Sequence, residues 1–445
     1  AHVNARCAFS GTVTPLYSFL KGASSLSSRF PFDQRLARVE RGRNAHCLRG
    51  CIGPEFHRGR ATMNRCTKAV AALLFGVPTL ALASVIQTLQ GTGQAELLPM
   101  IQAGAPPDSP AARVDPNVTT SPFTGVVSIN IRYTPPGGTQ QSFICSGTAI
   151  SPFMVLTAAH CVDPLDNGQV IDITQMGNDV RVVVNDDGFF NPATDLITAS
   201  QVTIHPDYDG FGICPDGTFG CVNDDLAIIR LSQALPDTVQ TYRFADEQIA
   251  PGTEFTMVGY GTSGDGVNGY TVAPNFFVKR VGGNIYDLFD NDDEANFNPA
   301  TPREVWYYDF DGTRNGLFRD TFCLLGLACS GYLGNDVETH LGGGDSGGPS
   351  FIQSWTGEYF LVANNTFGIN FCYADDPRDS QGRCRSGDFG DAGGGILLHS
   401  YLSWIRMTAE IPEPSSILLL GVGLLMLSVL RTRGRRRPAA CSATR

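Results

Sequence analysis

The sequence has 445 residues, of which 42% are hydrophobic, and it carries 43 acidic and 32 basic side chains for a formal net charge of −11. An apolar share of this size can bury a core, which excludes a chain that is disordered throughout. The negative charge excludes a protein that follows nucleic-acid phosphates with a basic face, so we expect no nucleic-acid partner.

The charge is distributed unevenly along the chain. Residues 1–62 hold 10 basic and 3 acidic residues, residues 84–410 have a net charge of −25, and residues 411–445 hold 6 basic residues and 1 acidic residue. Such asymmetry indicates that the ends and the middle of a chain have different functions. We therefore expect targeting segments at the ends and a folded domain between them.

A secretory signal peptide is predicted at residues 63–83. Met63 is the first methionine, Arg65 and Lys68 make a basic start, an apolar run covers 69–80, and Ala81-Leu-Ala83 has the A-x-A form of a cleavage site. A buried helix is the less favoured alternative, because Pro78 interrupts the run. Residues 1–62 are then expected to be a disordered upstream extension, or alternatively an Arg-rich transit peptide, with no role in the mature protein.

Residues 84–113 are expected to be a propeptide or linker, and residues 114–410 the folded domain. Short alternating runs occur at Val126–Tyr133, 179–184 and 255–260, separated by glycine, proline and other turn residues. Strands at this spacing predict an all-β barrel or sandwich.

Cysteine usage agrees with export. Residues 84–410 contain eight cysteines and no C-x-x-C motif. An even number at close spacing in an exported chain predicts four disulfides, whereas a zinc ribbon or thioredoxin-like site is not indicated.

Three motifs follow one another along the middle of the chain: Thr157-Ala-Ala-His160-Cys161, Asp225-Leu-Ala-Ile-Ile and Gly344-Asp345-Ser346-Gly-Gly-Pro. In this order they resemble the chymotrypsin/trypsin-like serine peptidases. Supporting stretches of the resemblance are Cys145–Ile150, His205–Tyr208, Val258–Thr262 and Tyr401–Ile405. The resemblance implies two six-stranded antiparallel β-barrels, a short C-terminal helix and an active site in the cleft between the barrels.

The resemblance also implies a role for each motif residue. Ser346 would be the nucleophile, His160 the general base and Asp225 the group that orients the imidazole, with Asp224 a turn residue. The backbone N–H groups of Gly344 and Ser346 would form the oxyanion hole. The Cys145–Cys161 disulfide is likewise implied, and His205 is expected to be structural.

The family's cysteine four residues before the nucleophile is replaced by Gly342. Cys372 and Cys384 are therefore expected to pair with each other. Cys214–Cys221 and Cys323–Cys329 are expected to be short local disulfides that shape loops.

The specificity pocket departs from trypsin-like enzymes that cleave after Lys or Arg. Those enzymes have an aspartate six residues before the nucleophile, where this chain has His340. A histidine there could favour an acidic substrate side chain or cap a neutral pocket, and both alternatives stay open. Thr366, Phe367 and Gly368 are expected to line the pocket wall.

Activation in the family frees an amine that pairs with the aspartate before the nucleophile, here Asp345. Arg113-Val114 is a candidate cleavage site, which would make Val114 the partner of Asp345, although the family's usual double glycine does not follow.

No cofactor or metal is expected, with one alternative. The carboxylates of residues 287–294 and of Asp309 and Asp311 could bind calcium, but a solvated acidic loop is favoured.

The C-terminal segment, residues 411–445, has three parts. Pro412-Glu413-Pro414 precedes fourteen uncharged residues at 417–430 and the arginines of 431–437. This arrangement resembles the PEP-CTERM sorting signal of Gram-negative bacteria, which implies a short transmembrane segment, transit through the inner membrane and cleavage by an exosortase-type processing enzyme. The domain would then reach the cell surface or extracellular matrix. A permanent membrane anchor is the alternative.

These inferences predict an exported serine endopeptidase that hydrolyses protein or peptide substrates through an acyl-enzyme. The alternatives are a catalytically inactive surface-binding module and an esterase that uses the same three residues.

Overall fold

The computed structural model describes residues 101–411, apart from Phe219, 293–301, Asp379 and Gln381, and also Met426. The chain divides into two units, residues 1–68 and 69–445, and every described residue belongs to the second. The predicted upstream extension and signal peptide lie outside the described residues, as do residues 84–100 and nearly all of the sorting signal.

The first half of the described chain is a closed antiparallel β-barrel. Its strands pair in the order β1-β2-β3-β6-β5-β4, and β4 pairs with β1 to close the ring. The bounds are β1 (Val126–Tyr133), β2 (Gln141–Ser151), β3 (Met154–Thr157), β4 (Asp179–Val183), β5 (Leu196–Ile204) and β6 (Ala227–Leu231). Alternate side chains of a strand point to opposite faces, and Val127, Ile129 and Ile131 of β1 fill the barrel interior.

The second half contains strands β7 to β19 and two helices. Five strands pair in the order β11-β8-β16-β17-β7, and four pair in the order β12-β13-β19-β18, while β9 with β10 and β14 with β15 form two hairpins. The bounds are β7 (Arg243–Phe244), β8 (Glu254–Gly259), β9 (Ser263–Asp265), β10 (Gly269–Val272), β11 (Arg280–Ile285), β12 (Leu288–Asp290), β13 (Val305–Asp309), β14 (Gly312–Arg314), β15 (Leu317–Arg319), β16 (Pro349–Gln353), β17 (Tyr359–Asn364), β18 (Phe367–Ile369), β19 (Ala392–Ile396), α1 (Thr321–Leu324) and α2 (Leu398–Thr408).

Two six-stranded barrels are expected from the sequence, whereas the described part of the chain contains one closed barrel. The two larger sheets of the second half meet through single bridges, such as Ala363 with Leu397, instead of a continuous ladder. At this junction the side-chain oxygen of Asn364 accepts the N–H of Ile396 at 3.0 Å. A side chain thus takes the place of the backbone partner that a closed ladder would supply.

Helix α2 covers the segment expected to close the domain. Leu398, Tyr401, Leu402 and Ile405 are its buried positions, and their spacing places them on one face. No helix among the described residues has the length and apolar character needed to span a membrane.

Residues 101–113 do not behave as the expected propeptide or linker. Ile101, Gln102 and Ala103 are buried, the N–H of Gln102 donates to the carbonyl of His340 at 2.8 Å, and the N–H of Ala103 donates to Gly264 at 3.0 Å. The folded domain thus begins at or before Ile101, not at Val114, because this segment is hydrogen-bonded into the second half.

Four disulfides join the cysteines of the described chain: Cys145–Cys161, Cys214–Cys221, Cys323–Cys329 and Cys372–Cys384. These are the four pairs that the sequence predicts. Only the first connects a barrel strand, β2, with the turn that carries His160.

Candidate active site

His160 lies in the turn that follows β3. Its ring nitrogen Nδ1 is 2.6 Å from Oδ2 of Asp225, and its backbone N–H donates to Oδ1 of the same carboxylate at 2.8 Å. Asp225 is 1% exposed. Because the carboxylate holds both the ring and the backbone of His160, the imidazole has a fixed orientation.

Asp224 has a different partner from its neighbour. Its carboxylate oxygen Oδ1 lies 3.1 Å from Nδ1 of His205, and its backbone has a φ of 49°. The rings of Tyr401 and Trp404 pack edge-on against His205. The turn therefore sends the two consecutive carboxylates to different histidines, and only Asp225 reaches His160.

The segment around Ser346 is a tight turn packed against the His160 turn. Gly347 has a φ of 75°, and a Cβ there would lie 2.0 Å from Oγ1 of Thr157 and 2.6 Å from the backbone nitrogen of Ala158. The N–H of Ser146 donates to the carbonyl of Ser346 at 2.9 Å. Glycine at this position is thus required by both conformation and space.

Cys161 joins the two turns. Its Sγ lies 3.9 Å from Nε2 of His160 and 3.6 Å from the carbonyl oxygen of Ser346. Since this sulfur is part of the disulfide to Cys145 and carries no proton, both are packing contacts. They place Nε2 of His160 and the backbone carbonyl of Ser346 against one sulfur atom.

The two predicted oxyanion-hole donors are not used to hold the turn. Gly344 has a φ of 108°, its carbonyl accepts from Oγ of Ser146 at 2.8 Å, and within the described residues neither its N–H nor that of Ser346 donates a hydrogen bond. Two unused N–H groups that flank the serine can bind a developing negative charge.

His340 is fully buried among aromatic rings. Its Nδ1 lies 3.0 Å from the hydroxyl of Tyr308, which itself accepts the N–H of Leu341 at 2.8 Å. The hydroxyl can donate to Nδ1 while it accepts from Leu341. Burial lowers the pKa of His340 to about 3, so the ring carries no charge at neutral pH.

The expected pocket wall follows β17. Thr366 is buried, and Phe367 of β18 pairs with Gly394 of β19. The ring of Phe367 lies 2.7 Å from where a Cβ of Gly394 would be, and Gly368 pairs with Gly393. Glycines of β19 thus make room for the aromatic side chains of this half.

The structure does not bring Val114 to Asp345. Val114 is 40% exposed and pairs with Arg280, whereas Asp345 is completely buried and accepts the N–H of Gly261 at 2.8 Å. Burial raises the pKa of Asp345 to about 7, and hydrogen bonds from Gly261 and from the backbone of Ile101, together with the charge of Arg280, offset part of the rise. The backbone nitrogen beside this carboxyl group belongs to Ile101, which the sequence reasoning did not single out.

Arg113, the residue expected to precede the cleaved bond, is also buried. Its guanidinium donates to Asp108 at 2.6 Å and to the carbonyls of Val337 and Glu338 at 2.8 and 3.0 Å. A protease could not reach this side chain in the folded protein.

Asn364 is a second residue that the sequence reasoning missed. Its amide group donates to the carbonyl of Asp225 at 3.2 Å, and it is 1% exposed. It fastens the Asp225 segment to the second half of the molecule. A signal existed, since Asn364 stands two residues before the expected pocket wall, but nothing in the sequence distinguishes it from Asn365.

Among the residues that the structure describes, three groups of side chains have the proximity that a metal site needs. Cys145, His160 and Cys161 form one, but its two sulfurs are bonded to each other and supply no thiolate. His205, Asp207 and Asp224 form the second. Asp309, Asp311 and Asp320 form the third, in the acidic region that the sequence marks as a calcium candidate.

Comparisons with known proteins agree with this geometry in part. The family model described as Trypsin matches residues 115–274, a range that contains His160 and Asp225 but not Ser346. This part of the chain is thus similar to the trypsin family.

Two curated relatives match part of the chain. The tryptase of Mus musculus is 33% identical over 143 residues, which cover 31% of this chain and 44% of the tryptase. Brachyurin of Leptuca pugilator is 27% identical over 130 residues, which cover 28% of this chain and 49% of brachyurin. The chain thus spans less than half the length of these relatives. A solved structure described as HL collagenase aligns with this chain at 17% sequence identity and a TM-score of 0.38. The alignment covers 65% of this chain and 95% of the collagenase chain.

Proposed function

We propose that the protein is a serine endopeptidase in which Ser346, His160 and Asp225 form the catalytic triad. The observation that carries this proposal is the pair of hydrogen bonds that the Asp225 carboxylate accepts from the ring and backbone of His160, at 2.6 and 2.8 Å. The contacts of Cys161 with both turns and the trypsin-family match over residues 115–274 support it.

The reaction follows from these positions. Asp225 accepts a hydrogen bond from Nδ1–H of His160, which leaves Nε2 free to take the proton of the Ser346 hydroxyl as Oγ bonds to the substrate carbonyl carbon. The carbonyl oxygen gains the electron pair and is held by the N–H groups of Gly344 and Ser346. Collapse breaks the carbon–nitrogen bond, Nε2 returns the proton to the leaving amine, and water then hydrolyses the acyl-enzyme by the same route.

The test is hydrolysis of a peptide library by the secreted protein and by Ser346→Ala. We expect the variant to lose about 10⁶-fold in kcat. A fluorophosphonate probe should label the wild-type protein and not the variant. Absence of both hydrolysis and labelling would favour the inactive binding module, and hydrolysis of ester but not amide substrates would favour the esterase.

The same proposal includes a revised activation site. Cleavage directly before Ile101, instead of at Arg113-Val114, would create an amine beside the buried carboxyl group of Asp345. The supporting observations are the closeness of the Ile101 backbone to Asp345, which contributes to lowering the pKa of that carboxyl group, and the burial of residues 101–103. N-terminal sequencing of active protein tests this, with Ile101 as the expected first residue. A start at Ser84 or Val114 would contradict it.

A neutral pocket is the specificity that the His340 environment supports. The ring is uncharged at neutral pH, is held by Tyr308 and stacks on Phe310, so it offers no positive charge to an acidic side chain. We expect cleavage after uncharged residues in the peptide library. Preferential cleavage after Glu would contradict this part of the proposal.

Export remains part of the proposal. Four disulfides and the strongly acidic middle of the chain fit an exported domain. The sorting segment at 411–445 would carry it across the inner membrane to an exosortase-type enzyme. Mass spectrometry of the surface-released protein, with loss of the residues after the Pro-Glu-Pro motif as the expected result, distinguishes release from permanent anchoring.

A further inference from the structure

Carboxylates gather in the second half of the molecule, away from the proposed triad. They come from the end of β13, the start of β14 and the residue that caps α1. We call Asp309, Asp311 and Asp320 the acid cluster, and Asp287 and Glu338 border it. The proposed peptidase mechanism uses none of these residues.

The acid cluster has the dimensions of a site for one cation. One carboxylate oxygen from each of Asp309, Asp311 and Asp320 lies within 4.8 Å of the other two. Calcium binds oxygen ligands at about 2.3–2.6 Å, so two oxygens on opposite sides of one ion are separated by up to about 5 Å. A single ion placed between the three carboxylates could therefore contact all of them.

The surrounding hydrogen bonds hold two of these side chains in place. Asp309 accepts the N–H of Phe322 at 2.8 Å, and Asp320 accepts the N–H of Cys323 at 2.8 Å as the N-cap of α1. Both donors belong to the short helix that the Cys323–Cys329 disulfide closes. The carboxylates are thus presented by a rigid frame.

Asp311 has no such partner. It is 4% exposed, and its Oδ1 has no hydrogen-bond donor among the described residues. A buried carboxylate oxygen without a donor costs free energy that a protein normally recovers through a hydrogen bond or an ion. The unpartnered oxygen belongs to a residue of the acid cluster, and no side chain among the described residues donates to it.

Positive side chains near the cluster are already engaged. Arg319 precedes Asp320 in the chain but pairs with Asp375 and Asp376, each at 2.8 Å. Arg113, on the Glu338 side, pairs with Asp108 at 2.6 Å. Both arginines thus pair with carboxylates outside the acid cluster.

We propose that Asp309, Asp311 and Asp320 bind one divalent cation, and that Ca²⁺ is the ion that fits them. The ligands are all oxygens, their spacing matches calcium, and Asp311 would gain the partner it lacks. Asp287, which accepts the backbone N–H of Asp309 at 3.0 Å, positions the first ligand. This proposal does not depend on peptidase activity.

Binding here would stabilise the region of the proposed specificity pocket. The side-chain amide of Asn284 donates to the carbonyl of Asp309 at 2.9 Å and to the carbonyl of Thr339 at 2.8 Å. Thr339 directly precedes His340. An ion that fixes Asp309 therefore also restrains the segment that carries the pocket histidine.

The experiment measures calcium binding in the secreted protein with Ser346→Ala, a change that prevents self-digestion and leaves the acid cluster intact. After treatment with EDTA and its removal, isothermal titration calorimetry with CaCl₂ should show one site, and calcium should raise Tm. Asp311→Asn should weaken binding by roughly 10- to 100-fold or more and abolish the Tm shift. Asparagine has nearly the size of aspartate and removes one charge from a group of buried acids, so the variant should fold without calcium.

Two control variants separate this site from other carboxylates. Asp237→Asn changes an exposed aspartate outside the cluster, and Asp207→Asn changes the second metal-like group. Both should bind calcium as the parent does. The proposal is overturned if the parent binds no calcium, if Asp311→Asn binds it equally well, or if Asp207→Asn alone loses binding.

Discussion

Two consecutive aspartates, Asp224 and Asp225, have different partners, and this separation decides which of them can take part in catalysis. Asp225 reaches both the ring and the backbone of His160, whereas Asp224 contacts His205. The two variants Asp225→Asn and Asp224→Asn therefore make a matched pair, since each removes one charge from the same turn.

We expect Asp225→Asn to lower kcat by about 10⁴-fold, because the uncharged amide cannot stabilise the imidazolium and its NH₂ group donates to Nδ1, which favours the wrong tautomer of His160. Asp224→Asn should retain activity within about tenfold, since it changes only the His205 contact. Steady-state kinetics on a peptide substrate measure both effects. Equal losses in the two variants would contradict the assignment of Asp225.

The buried Asp345 predicts a pH dependence. Its pKa is raised to about 7 in the uncleaved chain, against about 3.9 when unfolded. The folded state then binds more protons than the unfolded state between these values. The free energy of unfolding therefore falls as pH rises from about 4 to about 7. An amine created at Ile101 would lower this pKa and remove the fall.

This can be measured with a specific protease site inserted directly before Ile101, in the Ser346→Ala protein. The Tm gained on cleavage should be larger at about pH 7.5 than at about pH 5, where the carboxyl group is neutral in the uncleaved chain. With Asp345→Asn the gain should not vary between the two pH values. A gain independent of pH in the parent protein would refute the pairing.

At the scale of elements, the Ser346 turn depends on its glycines. Gly347 and Gly217 both have a positive φ, 75° and 79°, but a Cβ at Gly217 would meet nothing within 4 Å, whereas one at Gly347 would meet Thr157 and Ala158. Alanine at either position destabilises the fold by about 1–2 kcal/mol, because a residue with a Cβ disfavours the left-handed conformation. Only Gly347→Ala also pushes the serine turn away from the histidine turn.

We therefore expect Gly217→Ala to lower the free energy of unfolding modestly with activity unchanged. Gly347→Ala should lower it further and reduce kcat by about 100-fold or more, since a displacement of about 1 Å has this effect. Urea denaturation and kinetics on the two variants test this. The prediction is wrong if both variants lose the same stability and neither loses activity.

The sequence predicted the elements that local patterns determine. The three alternating runs in the sequence correspond closely to strands at Val126–Tyr133, Asp179–Val183 and Glu254–Gly259. The disulfide pairs also agree with those expected from the sequence. The second half was predicted less well. Its sheets meet through the side chain of Asn364, and no local pattern shows which polar side chain replaces a backbone partner.

The activation segment likewise depends on contacts that no local sequence pattern shows. Arg113-Val114 has the local chemistry of a cleavage site, yet Arg113 is buried by contacts with Asp108, Val337 and Glu338. Ile101 lies beside Asp345 because residues 101–105 pack between β9 and the 335–340 segment. The residues in contact are far apart in the sequence, so only the folded chain reveals these contacts.

At the scale of the whole molecule, residues 84–410 carry a net charge of −25. Repulsion between like charges opposes the compact state and is screened by salt, with a Debye length of about 10 Å at 0.1 M. We expect the free energy of unfolding to rise when NaCl is increased from about 0.02 M to about 0.2 M. Urea denaturation with EDTA present measures this, and a fall with salt would show that ion pairs outweigh the repulsion.

The contact of the Cys161 sulfur with both His160 and Ser346 has a consequence for where the protein can work. In a reducing cytoplasm the bond to Cys145 would not form, and the histidine turn would lose the covalent link that holds it to β2. A chain retained inside the cell would then have an incompletely fixed active site. The cell that makes the protein would be protected from it until oxidation, after export, joins the two cysteines.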